Sequence, residues 1–200
     1  MKLVDPYRYP LTPLRRKHGP QGYTHYSHHR PWLRDEFDFR CVYCLKRETW
    51  AFDTLEHELD HQVAKSIEPS LCKTYTNLVY ACANCNRRKG TSSLPAPEKV
   101  AYGACLEVKS NGKIFYLNDD GERLIDELAL DGKRITEMRA KIIRSIHSHQ
   151  QHDESLILLW MGFPSDMPDL ATVKPAPEDN TRPQGIQESW LKIKRPKYFE

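Results

Sequence analysis

The sequence lacks a strong charge of either sign. Thirty Lys and Arg against 27 Asp and Glu leave a formal +3 over 200 residues, which excludes a histone-like or tail-driven binder of polyanions. Long apolar runs are also missing. The longest, Leu156 to Phe163, is interrupted by Gly162 and is too short to span a bilayer, so no membrane partner is expected. The opening MKLVDPYRYP has no hydrophobic stretch of the signal-peptide kind. The expected location is therefore cytoplasmic, where thiols stay reduced and cysteines serve as metal ligands more readily than as disulfides. No internal repeat is visible. At 39% hydrophobic the chain is lean, yet long enough for one domain with a real core.

The small total hides an asymmetry. Residues 1–34 carry seven basic side chains and one acidic, a net +6, beside His18, His25, His28 and His29. Prolines at 6, 10, 13, 20 and 31 predict an extended arm without regular structure until about Trp32. A basic Pro/Tyr/His-rich arm on a nearly neutral body is a candidate phosphate-contacting element, or else a merely solvated terminus.

Three further regions follow. Residues 35–95 read as a compact core in which Thr49 to His61 resembles a strand pair, with Trp50, Phe52, Leu55, Leu59 and Val63 half-buried. The run Leu78 to Ala81 leads into a short helix ending at Gly90. Residues 96–163 form an extension: a hairpin about Asn111-Gly112, a helix over 122–130, and a longer helix with Ile135, Met138, Ile142, Ile143 and Ile146 as its core-facing stripe. Residues 164–200 turn Pro-rich and polar, and read as a flexible tail closing on the aromatic and basic SWLKIKRPKYFE. The fold class expected is α+β.

Two cysteine pairs stand out. Cys41-x2-Cys44 and Cys82-x2-Cys85 are separated by 37 residues. Four thiolates close a tetrahedral shell with no open position, which predicts a structural Zn²⁺. Thioredoxin-type redox chemistry is the alternative, but no βαβ pattern accompanies these pairs. Cys72 and Cys105 read as ordinary small hydrophobes.

Between and within the knuckles lie Asp60-His61, Asn77, and Asn86 directly after Cys85. Phosphodiester hydrolysis needs an activated water and stabilisation of the departing oxygen. A neutral His61 can take the water's proton. Asp60 and the amide oxygen of Asn86 offer hard donors to Mg²⁺ or Mn²⁺. Strand neighbours point to opposite faces, so Asp60 and His61 share a site only at a strand end or bulge. Arg87, Arg88 and Lys89 could neutralise phosphates, a solvated helix end being the other reading.

These residues resemble the HNH endonucleases with the ββα-metal fold. The likeness rests on C-x2-C, then ELDHQVAKS, then YTNLVYACANCNRRKG. It implies His61 as general base, Asp60 and Asn86 as metal ligands, and Asn77 as the residue that buttresses the base. Cys41, Cys44, Cys82 and Cys85 match the zinc ribbon. Asn77 can also be a plain turn or helix-cap asparagine. The lead-in HHRPWLRDEFDFRCVYC and the extension from SNGKIFYL onward resemble one bacterial branch of the family, extending the likeness to roughly 26–147. The implied substrate is nucleic acid, most simply DNA. The branch further suggests a phage-defence or mobile-element role with a protein partner such as an ATPase. Two features depart from the pattern: Ala64 stands where proline is common, and a second pair, Glu56-His57, offers His57 as a rival base. The competing functions are a non-catalytic zinc-ribbon module that only binds nucleic acid, and an effector active only with a partner.

Overall fold

The computed structural model describes residues 4–50, 56–150 and 152–173. Its centre is an antiparallel pair, β1 (His57–His61) and β2 (Leu78–Cys82), in the register His57↔Cys82 through His61↔Leu78. Every residue of β2 is buried, as a continuous apolar run demands when both sheet faces are covered. Helix α1 (Arg30–Glu36) packs against β2, and α2 (Ala83–Lys89) leaves β2 directly and packs on β1. The order strand, strand, helix is the ββα arrangement.

The strand pair expected over Thr49 to His61 is corrected. Among the described residues of that stretch, Glu48–Trp50 is a 3-10 turn and only His57–His61 is a strand, its partner lying 17 residues further along. A strand as polar as HELDH gains most by pairing with the apolar LVYAC run rather than with a near neighbour. Phe52 and Leu55 lie outside the described residues, and Val63 is exposed. The expected helix stop is present: Gly90 takes φ +53° and returns its N–H to the Asn86 carbonyl at 3.0 Å.

The extension holds a second hairpin, β3 (Leu106–Val108) and β4 (Ile114–Tyr116), turning through Gly112 at φ +80°. Helix α3 (Asp119–Leu128) is capped by Asn118, whose Oδ1 accepts from the Gly121 N–H at 3.0 Å. In α4 (Lys133–His149), Ile142, Ile143 and Ile146 are buried as expected, but Met138 is exposed. Arg139 takes the interior position instead, donating to the Gly112 carbonyl at 2.8 Å and to that of Leu130. Helix α5 (Glu154–Met161) lies against the Glu48–Trp50 turn, where the Trp50 indole donates to the Trp160 carbonyl at 2.6 Å.

The N-terminal segment differs most from expectation. Among its described residues there is no regular element before Tyr26, as its prolines imply, but they do not project. Val4, Tyr7, Tyr9 and His18 are buried in the common core. Arg16 pairs with Glu98, Arg30 donates to the His57 carbonyl, and Arg34 is buried on Glu48. With Lys17 near Asp38, four of the seven basic side chains are thus engaged in intramolecular contacts. Arg8 and Arg15 remain exposed. Residues 164–173 are also seated, with Leu170 buried and Asp166 accepting from Arg34 at 2.8 Å. Residues 174–200 lie outside the described residues.

Glu48 sits at the junction of these pieces. Its carboxylate accepts from Arg34 at 3.0 and 2.7 Å and from the Tyr80 hydroxyl at 2.6 Å. Glu48→Ala would leave the Arg34 guanidinium with Asp166 alone, itself exposed, and would take this acceptor from the Tyr80 hydroxyl, an expected loss of about 3 kcal/mol. Urea unfolding measures it, and a loss below about 1 kcal/mol, the size of an exposed pair, would deny Glu48 this joining role.

Candidate active site and zinc centre

The first knuckle is a tight turn in which the Cys41 N–H donates to the Lys46 carbonyl and the Leu45 N–H to that of Cys41. Val42 N–H binds the Tyr80 carbonyl at 2.9 Å, which seats the turn on β2. Cys82 ends β2, and Cys85 lies in the first turn of α2. One ligand atom from each of the four cysteines falls within 4.8 Å of the others, all four residues being buried, and the Cys44 and Cys82 sulfurs are 3.6 Å apart. A tetrahedron of Zn–S bonds of about 2.3 Å has sulfur-to-sulfur edges near 3.8 Å, so the cluster fits a zinc ion. Burial pushes the Cys41 thiol up, whereas its sulfur neighbours hold Cys82 far down. A dry cluster of this kind accepts four negative charges only around a cation.

Beside it lies the second group. Asp60 and His61 are the last two residues of β1, and alternation sends them to opposite faces. Glu58 and Asp60 face α2. The Asp60 carboxylate is 3% exposed and accepts from the Tyr43 hydroxyl at 2.7 Å and from Lys89 Nζ at 3.2 Å. Burial raises its pKa, opposed by the Lys89 charge. Two carboxylate oxygens carry about four acceptor positions, so each keeps a lone pair beyond these contacts.

His61 is half-buried, and its Nε2 lies 3.0 Å from the Cys72 carbonyl. A carbonyl only accepts, so Nε2 carries the proton and Nδ1 the lone pair. Burial lowers its pKa, which favours this neutral ring at physiological pH. Tyr26 presses edge-on against the imidazole, centroids 4.9 Å apart. The rival His57 is fully buried, stacked on Tyr80, with Nε2 on the Lys46 carbonyl. Its ring is closed off from solvent there.

Asn77 is buried and acts as a clasp on the loop after His61. Its Oδ1 accepts from the Val63 N–H at 2.9 Å, and its Nδ2 donates to the carbonyls of Val63 and Leu71. The same loop presents the Cys72 carbonyl to His61, so Asn77 reaches that ring through backbone. Ala64, where proline is common, leaves the turn well tied: its carbonyl accepts from Ile67 and Glu68 at 2.8 and 3.0 Å. Asn86 stands on α2 with its Nδ2 donating to Glu58 Oε2 at 2.6 Å. Arg87 and Arg88 are exposed on the same helix.

Lys89 is a correction. Expected to face phosphate, it is 2% exposed, because its position on α2 turns it to β1, where it binds Asp60 and the His61 carbonyl at 2.7 Å. Three participants escaped sequence reasoning. Tyr43 lies between two ligands of a knuckle, and Glu58 is two residues before Asp60, hence on its strand face. Tyr26 has no local signal, since only tertiary packing brings it to His61.

Cys82→Ser should remove bound zinc and expose the core to proteolysis, because metal binding and folding are linked. Elemental analysis with limited proteolysis checks both, and full zinc in the variant would contradict the four-sulfur site.

Carboxylates on one face of β1 and an amide on α2 are donors for a hard metal, and the neutral imidazole at the strand end is a proton acceptor. Among the described residues no helix is long and apolar enough to cross a membrane. No curated protein matches the chain. The HNH endonuclease family model matches residues 41–92, which span both knuckles, β1, β2 and α2. The mixed α+β core and its four-cysteine cluster agree with that match, and residues 41–92 of this chain are an HNH endonuclease domain.

Proposed function

We propose that the protein is a metal-dependent endonuclease that hydrolyses phosphodiester bonds, with DNA as the substrate. The observation that carries this reading is the His61 ring, neutral and anchored through Nε2 on the Cys72 carbonyl, beside Asp60 at the end of β1. In this scheme His61 Nδ1 takes the proton of the attacking water. Tyr26 and the Asn77-clasped loop keep the ring from rotating. Asp60 on β1 and Asn86 on α2, hard oxygen donors where the two elements meet, would hold Mg²⁺ or Mn²⁺. Such an ion, when bound, supplies charge stabilisation to the departing oxygen. Lys89 fixes Asp60 and the end of β1 rather than touching substrate. The four cysteines hold the structural zinc.

A second reading rests on the lock on Asp60. With its carboxylate buried under Lys89 and Tyr43, the domain can be an effector that stays silent until a partner opens the junction. It predicts no cleavage by the isolated chain and cleavage in complex.

A plasmid-nicking assay with Mg²⁺ or Mn²⁺ tests the main proposal. His61→Ala should lower the rate by at least about 100-fold, the usual share of a general base. Equal cleavage by the variant would overturn the assignment of the base.

Arg87 and Arg88 would contact the phosphate backbone. Replacing each with Ala should weaken binding alike for all sequences and reduce the salt slope by about one unit per contact. Binding isotherms at several salt concentrations measure this, and an unchanged slope returns both side chains to solvent.

A further inference from the structure

We propose that Glu58 is a positioning residue that orients the Asn86 amide so that its oxygen faces the metal site, an inference that rests on the proposed role of Asn86 as a ligand. An asparagine side chain has two ends of nearly equal size and opposite chemistry, and only the oxygen can bind a cation. Left in solvent, such an amide turns freely. Here Nδ2 donates to Glu58 Oε2 at 2.6 Å. A carboxylate only accepts, so the nitrogen must be the end that meets it, and the oxygen is turned to the other side.

The backbone makes this contact available. Glu58 precedes Asp60 by two residues on β1 and so points to the same face, toward α2. Asn86 precedes Lys89 by three on α2, about one turn. The two elements therefore meet in two rungs, Glu58 with Asn86 at the exposed end and Asp60 with Lys89 at the buried end. The inner rung fixes the carboxylate ligand, and the outer one fixes the amide ligand. Partners of this sort typically change metal affinity by ten- to a hundredfold, roughly, when removed.

The test uses the full-length, zinc-loaded protein and Mn²⁺ titrated by calorimetry, with circular dichroism to show that each variant is folded. Glu58 is exposed, so its replacement leaves the core intact. Glu58→Ala should weaken Mn²⁺ binding about tenfold, while Glu58→Gln stays within about threefold, because its side-chain oxygen still accepts from Asn86 Nδ2. Wild-type affinity in Glu58→Ala would overturn the proposal. An equal loss in Glu58→Gln and Glu58→Ala would also overturn it, by assigning the effect to the carboxylate charge. Asn86→Ala separates this failure from that of the underlying reading. Wild-type Mn²⁺ affinity there would remove Asn86 as a ligand and the role of Glu58 with it.

Discussion

Four buried sulfurs within 4.8 Å of one another join parts of the chain that are 37 residues apart, and the rest of the domain is arranged by that closure. Cys82 ends β2 and Cys85 lies in the first turn of α2, so the cluster sets the angle at which the helix leaves the sheet. Tyr43, held between Cys41 and Cys44, has little freedom left. Its hydroxyl donates to Asp60 at 2.7 Å, and its carbonyl accepts from the Tyr9 hydroxyl at 2.7 Å. The knuckle is therefore linked by single hydrogen bonds to the candidate site on one side and to the N-terminal segment on the other. A cluster that only stapled the fold would have no need of the first link.

The segments outside the core are attached by buried polar groups as much as by apolar area. His18 meets Asp35 at 2.8 Å, and Glu36 accepts from the N–H groups of Lys17 and His18 and from the Tyr75 hydroxyl. In a proline-rich stretch with few ladder hydrogen bonds, such contacts replace secondary structure as the source of a unique path. Buried ion pairs add little net stability, but removing one partner is costly, and that asymmetry favours one docking over its alternatives. The same contacts bring Tyr26 against His61. What reads as an arm in the sequence is one wall of the candidate site.

Legibility followed the range of the interaction. The two knuckles, the Gly90 stop and the Asn111-Gly112 hairpin were readable because each is fixed within a few residues by ligand spacing or turn chemistry. The ββα core was readable from the motif. The partner of β1 was misjudged, since pairing across 17 residues is decided by which surface is left to cover, and a local pattern contains no record of that. Arg139 was missed for a similar reason: its carbonyl partners at Gly112 and Leu130 come from other elements. In the candidate site, residue identities could be read but not their directions. Lys89 looked like a phosphate contact because the sequence shows its charge and not the helix face that turns it inward.

That inward turn also decides the charge of the site. A carboxylate as buried as Asp60 would favour its protonated form, and burial does raise its pKa. The Lys89 ammonium at 3.2 Å works against this, favouring the ionised carboxylate. Glu58 and Asp60 against Lys89 leave one net negative charge where β1 meets α2. A divalent cation there would reverse the sign to one positive charge, and a single phosphodiester would cancel it. Without Lys89 the same cation would only neutralise two carboxylates, leaving no surplus positive charge at this junction. A buried lysine can thus set the electrostatic balance that a cation bound at this junction would meet.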